Sequence, residues 1–328
     1  MLDSILESLH VLSLPTKTDF RGVTFREVAL FEGPAGWAEF SPFLEYDENE
    51  CIPWLVSAVE SATQSAPAPI RDSIPVNATL PAVNGIERIS EILSWYPGCS
   101  TVKIKAGKNL QEDLQRIEHV RMVVPNAKIR IDVNGAWSVE EAIRAISEIR
   151  QGGIIEYVEQ PCSTIEDLRK LKKLLKADVL IAGDEVLRKS PKPLDINLNE
   201  VVDILMLKVA PLGGISQSLR IAKKHGLPVV VSSALESAIG ISYGLKLAAV
   251  LPELPFACGL GTGQLLGADV ASLGIIDGAI AVGSPSPEAK ALDEYATSLE
   301  RLDYWKERIR KTWVAGAQDW IAKEGWVW

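Results

Sequence analysis

Short apolar runs that end at a charged residue recur at regular intervals through the middle of the chain. The runs cover residues 102–105, 129–134, 155–159, 180–184 and 204–208. Their charges at positions 105, 132, 159, 184 and 208 are separated by 27, 27, 25 and 24 residues. A strand, a loop and a helix of three to four turns fill about 25 residues, so each interval predicts one βα unit.

The same spacing predicts strands on both sides of this stretch, at residues 76–79, 229–232 and 256–258. Eight parallel strands connected by helices close into a barrel with the helices outside. We therefore predict an α/β fold in which a (β/α)7β-type TIM barrel occupies residues 73–285 and carries the catalytic site.

The two ends of the chain do not follow this spacing. Predicted strands at 11–14, 24–31 and 36–40 and a helix at 50–62 indicate an N-terminal α+β capping domain at residues 1–72. Residues 286–328 form a third unit, a charged helical segment with Trp305, Trp313 and Trp320 at roughly heptad spacing. This stripe is typical of a packing face, against the barrel or another subunit.

Alternation along the strands predicts which charges point into the barrel. In run 102–105, Lys103 and Lys105 share one face and the apolar residues share the other, which must pack on helices. The same count turns five further side chains inward, at the carboxyl ends where barrel enzymes hold their sites: Asp132, Asn134, Glu159, Asp184 and Lys208. The strands of Lys105 and Lys208 lie opposite each other in a ring of eight.

Three carboxylates on consecutive strands predict a cation. Asp132, Glu159 and Asp184 would repel one another and take up protons unless positive charge lies among them. Hard oxygen ligands favour Mg²⁺, which keeps positions for water and substrate oxygens. The alternative is that these are ordinary strand-end charges paired as salt bridges.

Residues that contact the substrate are predicted from their positions alone. The polar segment 17–22 is interpreted as a lid loop, the alternative being a plain surface turn, and Arg21 is its candidate for holding a substrate anion. Further candidates lie on the first and seventh barrel strands: Asn77, Thr79, Ser232 and Ser233.

Composition narrows the classes of partner. A net charge of −9 and a pI of 5.1 argue against nucleic acid or an anionic membrane as partners. Four dispersed cysteines without a Cys-x-x-Cys pair are typical of a reducing compartment, and the first residues lack the basic region of a signal peptide. We expect a cytoplasmic protein, a monomer or small homo-oligomer, that acts on a small molecule.

Several motifs together resemble one enzyme family. They are Lys103-Ile104-Lys105, Asp132-Val133-Asn134, Glu159-Gln160-Pro161, Ala182-Gly183-Asp184-Glu185, and Lys208 followed by Gly213-Gly214. Over residues 1–285 the chain resembles the enolase superfamily, in its muconate-lactonizing subgroup, whose sites use a lysine or histidine base with Mg²⁺.

Within this subgroup the chain is most similar to the o-succinylbenzoate synthases of menaquinone biosynthesis. It is short for the subgroup, and residues 258–262 lack the Asp-x-Asp of dipeptide epimerases. Ser232-Ser233 with Glu236-Ser237 also resembles the seventh-strand segment of the synthases. The resemblance adds Glu236, Gly259 and Leu260 to the expected substrate contacts.

The resemblance implies a magnesium-dependent syn-dehydration of the dicarboxylate 2-succinyl-6-hydroxy-2,4-cyclohexadiene-1-carboxylate. Asp132, Glu159 and Asp184 are expected to hold Mg²⁺ against the ring carboxylate. Lys105 is the expected base and then acid, with its pKa lowered by Lys103 and the metal, while Lys208 stabilises the intermediate from the opposite face.

Two alternatives remain. An N-succinylamino acid racemase would use the same residues, with Lys105 and Lys208 exchanging protons on two faces. A barrel kept only for binding or structure would have at least one broken ligand or lysine, and none is broken in this sequence.

Overall fold

The structure, a computed structural model, describes residues 1–20, 22–175 and 179–328. The first part of the chain forms a three-stranded antiparallel sheet with two helices. Its elements are α1 (Leu2–Glu7), β1 (His10–Phe20), β2 (Val23–Gly33), β3 (Gly36–Phe40) and α2 (Glu48–Thr63). A capping box between Asp47 and Glu50 starts α2, which buries Trp54 and Leu55 against the sheet.

The loop conformation predicted at 17–22 was wrong for residues 17–20, while the lid role of this segment stays a prediction. β1 continues to Phe20, which pairs with Val23 on β2, so residues 17–20 belong to a hairpin end. Residues 10–15 pair regularly with β2 and Phe20 pairs with Val23, so the polar segment stays extended as a strand end across the register shift between them. The hairpin end nevertheless reaches the barrel, since Lys17 Nζ donates to the carbonyl of Gln264 at 3.0 Å.

A parallel sheet of seven strands forms the barrel, with the neighbour order β5 to β11 following the chain. After β4 (Ser73–Pro75), its strands are β5 (Ala78–Leu80), β6 (Thr101–Lys105), β7 (Lys128–Asp132), β8 (Tyr157–Glu159), β9 (Ile181–Gly183), β10 (Ile204–Lys208) and β11 (Val229–Ser232). The helices are α3 (Ile86–Ser94), α4 (Leu110–Val123), α5 (Val139–Gln151), α6 (Ile165–Leu175), α7 (Glu185–Arg188), α8 (Val209–Leu212), α9 (Ile215–His225) and α10 (Ala238–Val250). Val102 and Ile104 pack outward into the helical layer, as the alternation predicted.

The predicted eighth strand at 256–258 is replaced by isolated parallel bridges. Val76 pairs with Cys258, and Ser232 pairs with Gly259. Proline at 255 removes a backbone donor just before the segment, which limits regular pairing. Backbone hydrogen bonds still join this segment to both neighbours, so the sheet closes and the predicted (β/α)7β-type barrel is confirmed.

Beyond the barrel, a 3₁₀ helix (Gly261–Leu265) and β12 (Ala279–Ala281), paired with β4, precede the C-terminal segment, residues 286–328. This segment contains α11 (Ala289–Glu294), α12 (Leu299–Thr312), a π turn (Trp313–Ala317) and α13 (Gln318–Glu324). Trp305 and Ile309 are buried in the core of the N-terminal sheet and α2. The tryptophan stripe therefore packs mainly on the N-terminal unit. The sequence had predicted the barrel or another subunit as its packing partner. The division into three domains stays a prediction.

Candidate active site

Strand register brings the predicted lysines and carboxylates to one rim of the barrel. Lys105 pairs with Asp132 across β6 and β7, and Asp132 pairs with Glu159 across β7 and β8. Asp184 directly follows β9, and Lys208 is the last residue of β10. Because neighbouring parallel strands hold Lys105, Asp132 and Glu159 in hydrogen-bonded register, these side chains meet without help from any loop, and Asp184 takes the first position after its strand.

Each carboxylate is paired with an ammonium group in this structure. Lys105 Nζ donates to Asp132 Oδ2 at 2.5 Å, and Lys208 Nζ donates to Asp184 Oδ2 at 2.5 Å. Lys103 Nζ lies 2.9 Å from Glu159 Oε2 and 3.4 Å from Asp132 Oδ2. The salt-bridge alternative therefore describes the contacts present here, although all three carboxylates are buried at the rim.

The pKa shifts show how closely these charges interact. Burial raises the pKa of Asp132, but Lys105 and Lys103 outweigh it and hold that pKa below the ordinary value. Glu159 behaves differently: burial and the neighbouring Asp132 carboxylate raise its pKa. Burial lowers the pKa of Lys103, but the charges of Glu159 and Asp132 together have the larger, opposite effect. The net pKa is therefore above the ordinary value, and Lys103 stays positively charged.

The donor set fits a hard divalent ion. Oδ1 of Asp132 and Oε1 of Glu159 are buried and accept no hydrogen bond, which is costly for a carboxylate oxygen unless a cation binds it. Within the described ranges, no three acidic, histidine or cysteine side chains already converge at ligand distance. Closing a metal site would require the carboxylates to exchange ammonium partners for the ion.

A small cavity of about 20 Å³ lies above these charges. It is lined by Phe20, Phe43, Thr79, Lys103, Lys105, Asp132, Lys208, Ser232, Ser233, Ala234 and Thr262. Of the predicted substrate contacts, Thr79, Ser232 and Ser233 are present. Four lining residues were not predicted as substrate contacts: Phe20, Phe43, Ala234 and Thr262. Of these, Phe20 lies in segment 17–22, which was predicted to be a lid. Their positions depend on hairpin, loop and 3₁₀ geometry, and no periodic pattern marked them.

Other predicted substrate contacts are used elsewhere in the structure. Asn77 lies below the cavity, where its Oδ1 accepts from Arg130 Nη1 at 3.0 Å. Asn134 accepts from Lys105 Nζ at 2.9 Å and donates to Glu185 Oε1 at 3.1 Å, so it orients the lysine without lining the cavity.

Three further predicted contacts, which follow the seventh strand or lie at the seam of the barrel, do not line the cavity either. Glu236 Oε2 accepts from the backbone amide of Ala234, and Gly259 lies in the barrel seam. The buried side chain of Leu260 packs outward among the helices, because alternation after the seam turns it to that side. Arg21 lies outside the described residues.

Arg188 is a further residue at the site that sequence reasoning missed. Its Nε donates to Asp184 Oδ1 at 3.1 Å, its Nη2 to Glu185 Oε1 at 2.8 Å, and its Nη1 to the hydroxyl of Tyr46 at 3.3 Å. The signal was available, since an arginine four residues after an acid on a helix commonly pairs with it.

Comparison with known proteins agrees with this architecture. The family model described as enolase C-terminal domain-like matches residues 90–283, and the one described as enolase N-terminal domain-like matches residues 11–62. No helix in the described part of the chain is long and apolar enough to cross a bilayer.

Two curated relatives cover almost the whole chain. The o-succinylbenzoate synthase of Mycolicibacterium smegmatis is 47% identical over 94% of this chain and 96% of its own length. That of Mycobacterium tuberculosis strain H37Rv is 45% identical over 94% of both chains.

Solved structures share the fold at lower identity. The muconate lactonizing enzyme from Pseudomonas putida is 20% identical, with a TM-score of 0.72, over 88% of this chain and 98% of its own. The N-succinyl Arg/Lys racemase from Bacillus cereus is 19% identical, with a TM-score of 0.74, over 88% and 97%. The chain therefore belongs to the enolase superfamily and, within it, to the family of the o-succinylbenzoate synthases.

Proposed function

We propose that this protein catalyses the syn-dehydration of 2-succinyl-6-hydroxy-2,4-cyclohexadiene-1-carboxylate to o-succinylbenzoate, a step of menaquinone biosynthesis. The relatives of the same name, at 45–47% identity over 94% of the chain, support this assignment. The observation that carries it is the placement of Lys105 and Lys208. They stand on β6 and β10, opposite strands of the barrel, and both line one cavity with Asp132.

The proposal includes a divalent metal, which enzymes of this superfamily generally use. We propose that Asp132, Glu159 and Asp184 hold it and that it is Mg²⁺, since all three ligands are hard carboxylate oxygens. When bound, the ion would neutralise negative charge that develops on the substrate carboxylate. The buried, unpaired oxygens of Asp132 and Glu159 support this ligand set.

Lys105 is proposed as the group that moves the proton. As a neutral amine it would take the proton from the ring carbon that bears the carboxylate. As an ammonium it would return that proton to the hydroxyl leaving from the same face, so that water departs and the ring becomes aromatic. Asn134, whose Oδ1 accepts from Lys105 Nζ, restricts the orientation of the amine.

The two other lysines are proposed to act through their charge. Lys208, on the opposite side of the cavity, would stay an ammonium and stabilise the negative charge that spreads into the ring. Lys103, between Glu159 and Asp132, has its pKa raised by them and would favour the ionised form of both carboxylates.

The closed cavity implies that the enclosing residues move during turnover. A volume of about 20 Å³ holds roughly one water molecule and cannot admit a substituted six-membered ring. A larger cavity of about 530 Å³ lies outside it, and Phe43 lines both. Displacing Phe43 and its neighbours would join the two and open a path for the substrate.

One assay tests the activity and separates it from its alternative. Purified enzyme with Mg²⁺ is given the cyclohexadiene substrate and, separately, N-succinyl amino acids in D₂O. The proposal expects fast formation of o-succinylbenzoate, with little deuterium exchange into the amino acids. Fast exchange without dehydration would instead identify an N-succinylamino acid racemase, which would use the same two lysines on two faces.

A cytoplasmic location and a monomeric or small homo-oligomeric state belong to the proposal as well. Both rest on composition and on the resemblance alone. Fractionation of cell extracts and light scattering of the purified protein would test them.

A further inference from the structure

The C-terminal segment takes no part in the proposed chemistry, yet one of its side chains reaches the wall of the cavity. Residues 286–328 lie outside both matched family models. On α12, Arg308 is only 7% exposed and its guanidinium stacks on Trp305 at 5.0 Å. A charged group is buried so deeply only where its donors find acceptors.

Three of its four acceptors are backbone carbonyls of one loop, residues 41–47, which connects β3 to α2, and the fourth is Cys51 Sγ on α2 at 3.3 Å. Nη2 of Arg308 donates to the carbonyl of Phe43 at 2.6 Å and to that of Tyr46 at 3.0 Å, while Nη1 donates to that of Pro42 at 3.4 Å. The loop lies outside helix and sheet, so regular backbone hydrogen bonds do not fix its conformation. The planar guanidinium group, which bonds three of its carbonyls, can fix it instead.

This loop supplies side chains to both the cavity and the rim. Phe43 lines the closed cavity and the larger one outside it. A second buried arginine, Arg26 on β2, stacks over the Phe43 ring at 4.5 Å and donates to the carbonyls of Ser41 and Leu235. Two arginines from different elements therefore hold the same loop.

The same loop also connects to the proposed metal ligands. The Tyr46 hydroxyl accepts from Arg188, whose Nε pairs with Asp184. A continuous series of contacts thus runs from Arg308 through the loop to the rim of the barrel.

We propose that Arg308 is a positioning residue for the reaction: it holds loop 41–47 so that Phe43 closes the cavity and Tyr46 meets Arg188. The C-terminal segment is then part of the apparatus that encloses the substrate. The expected change in KM rests on the proposed function. The contacts that carry it are independent of the reaction.

Arg308→Met tests this, with Arg301→Met as the matched control. Arg301 lies on the same helix and joins α12 to Glu27 on β2 through two hydrogen bonds, away from the loop. Loss of Arg308 should raise KM for the substrate, and the dissociation constant of o-succinylbenzoate, about tenfold or more, since small displacements of enclosing groups are costly. Amide hydrogen exchange in peptide 41–47 should accelerate. Arg301→Met should lower stability and leave all three readouts near wild type.

Arg308→Lys keeps a positive charge but loses the planar guanidinium group. Compared with Arg308→Met, it should restore part of the substrate affinity and part of the protection of the 41–47 amides from hydrogen exchange. It also provides a testable variant if Arg308→Met does not fold. Unchanged exchange in 41–47 and unchanged KM in either Arg308 variant, relative to the control, would overturn the proposal. If the wild type does not turn over the cyclohexadiene, the proposed function fails, while the exchange comparison, which needs no substrate, still decides the role of Arg308.

Discussion

The rim of the barrel and the loops that cover it are built in different ways. At the rim, Lys105, Asp132 and Glu159 occupy paired positions on adjacent strands, so backbone hydrogen bonds set their spacing. In the cover, Phe20 comes from a hairpin end and Phe43 from an irregular loop. The groups proposed to react are therefore fixed by the most regular part of the fold, and the groups proposed to let the substrate pass are held by side-chain contacts.

This difference predicts different responses to substitution. Removing a side chain at the rim should abolish chemistry or leave an unpaired buried charge. Removing a contact in the cover, or between the cover and the barrel, should change affinity or stability while the chemistry persists.

Lys105→Ala should have the largest effect. Turnover of the cyclohexadiene should fall by about three orders of magnitude, the usual scale for losing a proton-transfer group, while the fold persists. Lys172→Ala is a suitable control, because Lys172 also pairs with a carboxylate, Asp203 at 2.6 Å, but lies away from the cavity. Steady-state kinetics and circular dichroism measure both. Near wild-type turnover in Lys105→Ala would show that another group moves the proton.

Glu159→Gln should reduce stability and metal response together. Lys103 would lose the carboxylate that lies 2.9 Å from its ammonium, and breaking a buried pair of this kind costs about 3–5 kcal/mol. Denaturant unfolding measures that loss. Activity restored after metal removal should need a higher Mg²⁺ concentration than the wild type needs. An unaltered magnesium titration would remove Glu159 from the ligand set.

Glu60→Gln tests a contact between the N-terminal unit and the barrel. Its carboxylate accepts from the backbone amides of Ile215 at 2.5 Å and Ser216 at 3.0 Å, at the start of α9. Replacing the charge at this helix N-terminus should cost about 1–2 kcal/mol of unfolding free energy. Because Glu60 does not line the cavity, kcat should stay near wild type, and a large loss of kcat would contradict the separation of rim and cover.

Glu236→Gln should give the smallest effect, visible only as a change in pH dependence. Burial first, and then the charge of Glu39, raise the pKa of Glu236 from its ordinary value to about 7. Protonation therefore stabilises the folded state: the contribution is complete below the unfolded pKa and disappears as pH rises through about 7. We expect the wild type to lose about 1 kcal/mol from this group between about pH 6 and pH 8.

The measurement is chemical denaturation at several pH values, with the wild type and Glu236→Gln compared at each. The glutamine keeps an acceptor for the Ala234 amide, so the comparison reports the titration of Glu236 together with its coupling to Glu39. Asp269, whose pKa is also raised by burial to about 7, remains in both proteins. Identical slopes for the two proteins would contradict the assignment to Glu236.

Agreement between sequence and structure follows the same division. The sequence predicted strands β6 and β10 and the inward direction of Lys103 and Lys105. In a strand with one apolar face against the helices, alternation allows the polar side chains to point only into the barrel. The loop conformation predicted at 17–20 was wrong because β1 stays extended through these polar residues to Phe20, across a register shift with β2. The eighth strand was wrong in its regularity, since the seam is held by isolated bridges.

Strand alternation and the spacing of βα units are local properties of the chain, so they were enough to predict the barrel and the order of its charges, and the motif resemblance then indicated the family. Only the tertiary structure decided which residues enclose the site. Phe43 and Arg308 lie 265 residues apart, and their contact depends on the C-terminal helix returning to the N-terminal unit. No periodicity encodes such a contact, since it arises from packing between elements distant in sequence.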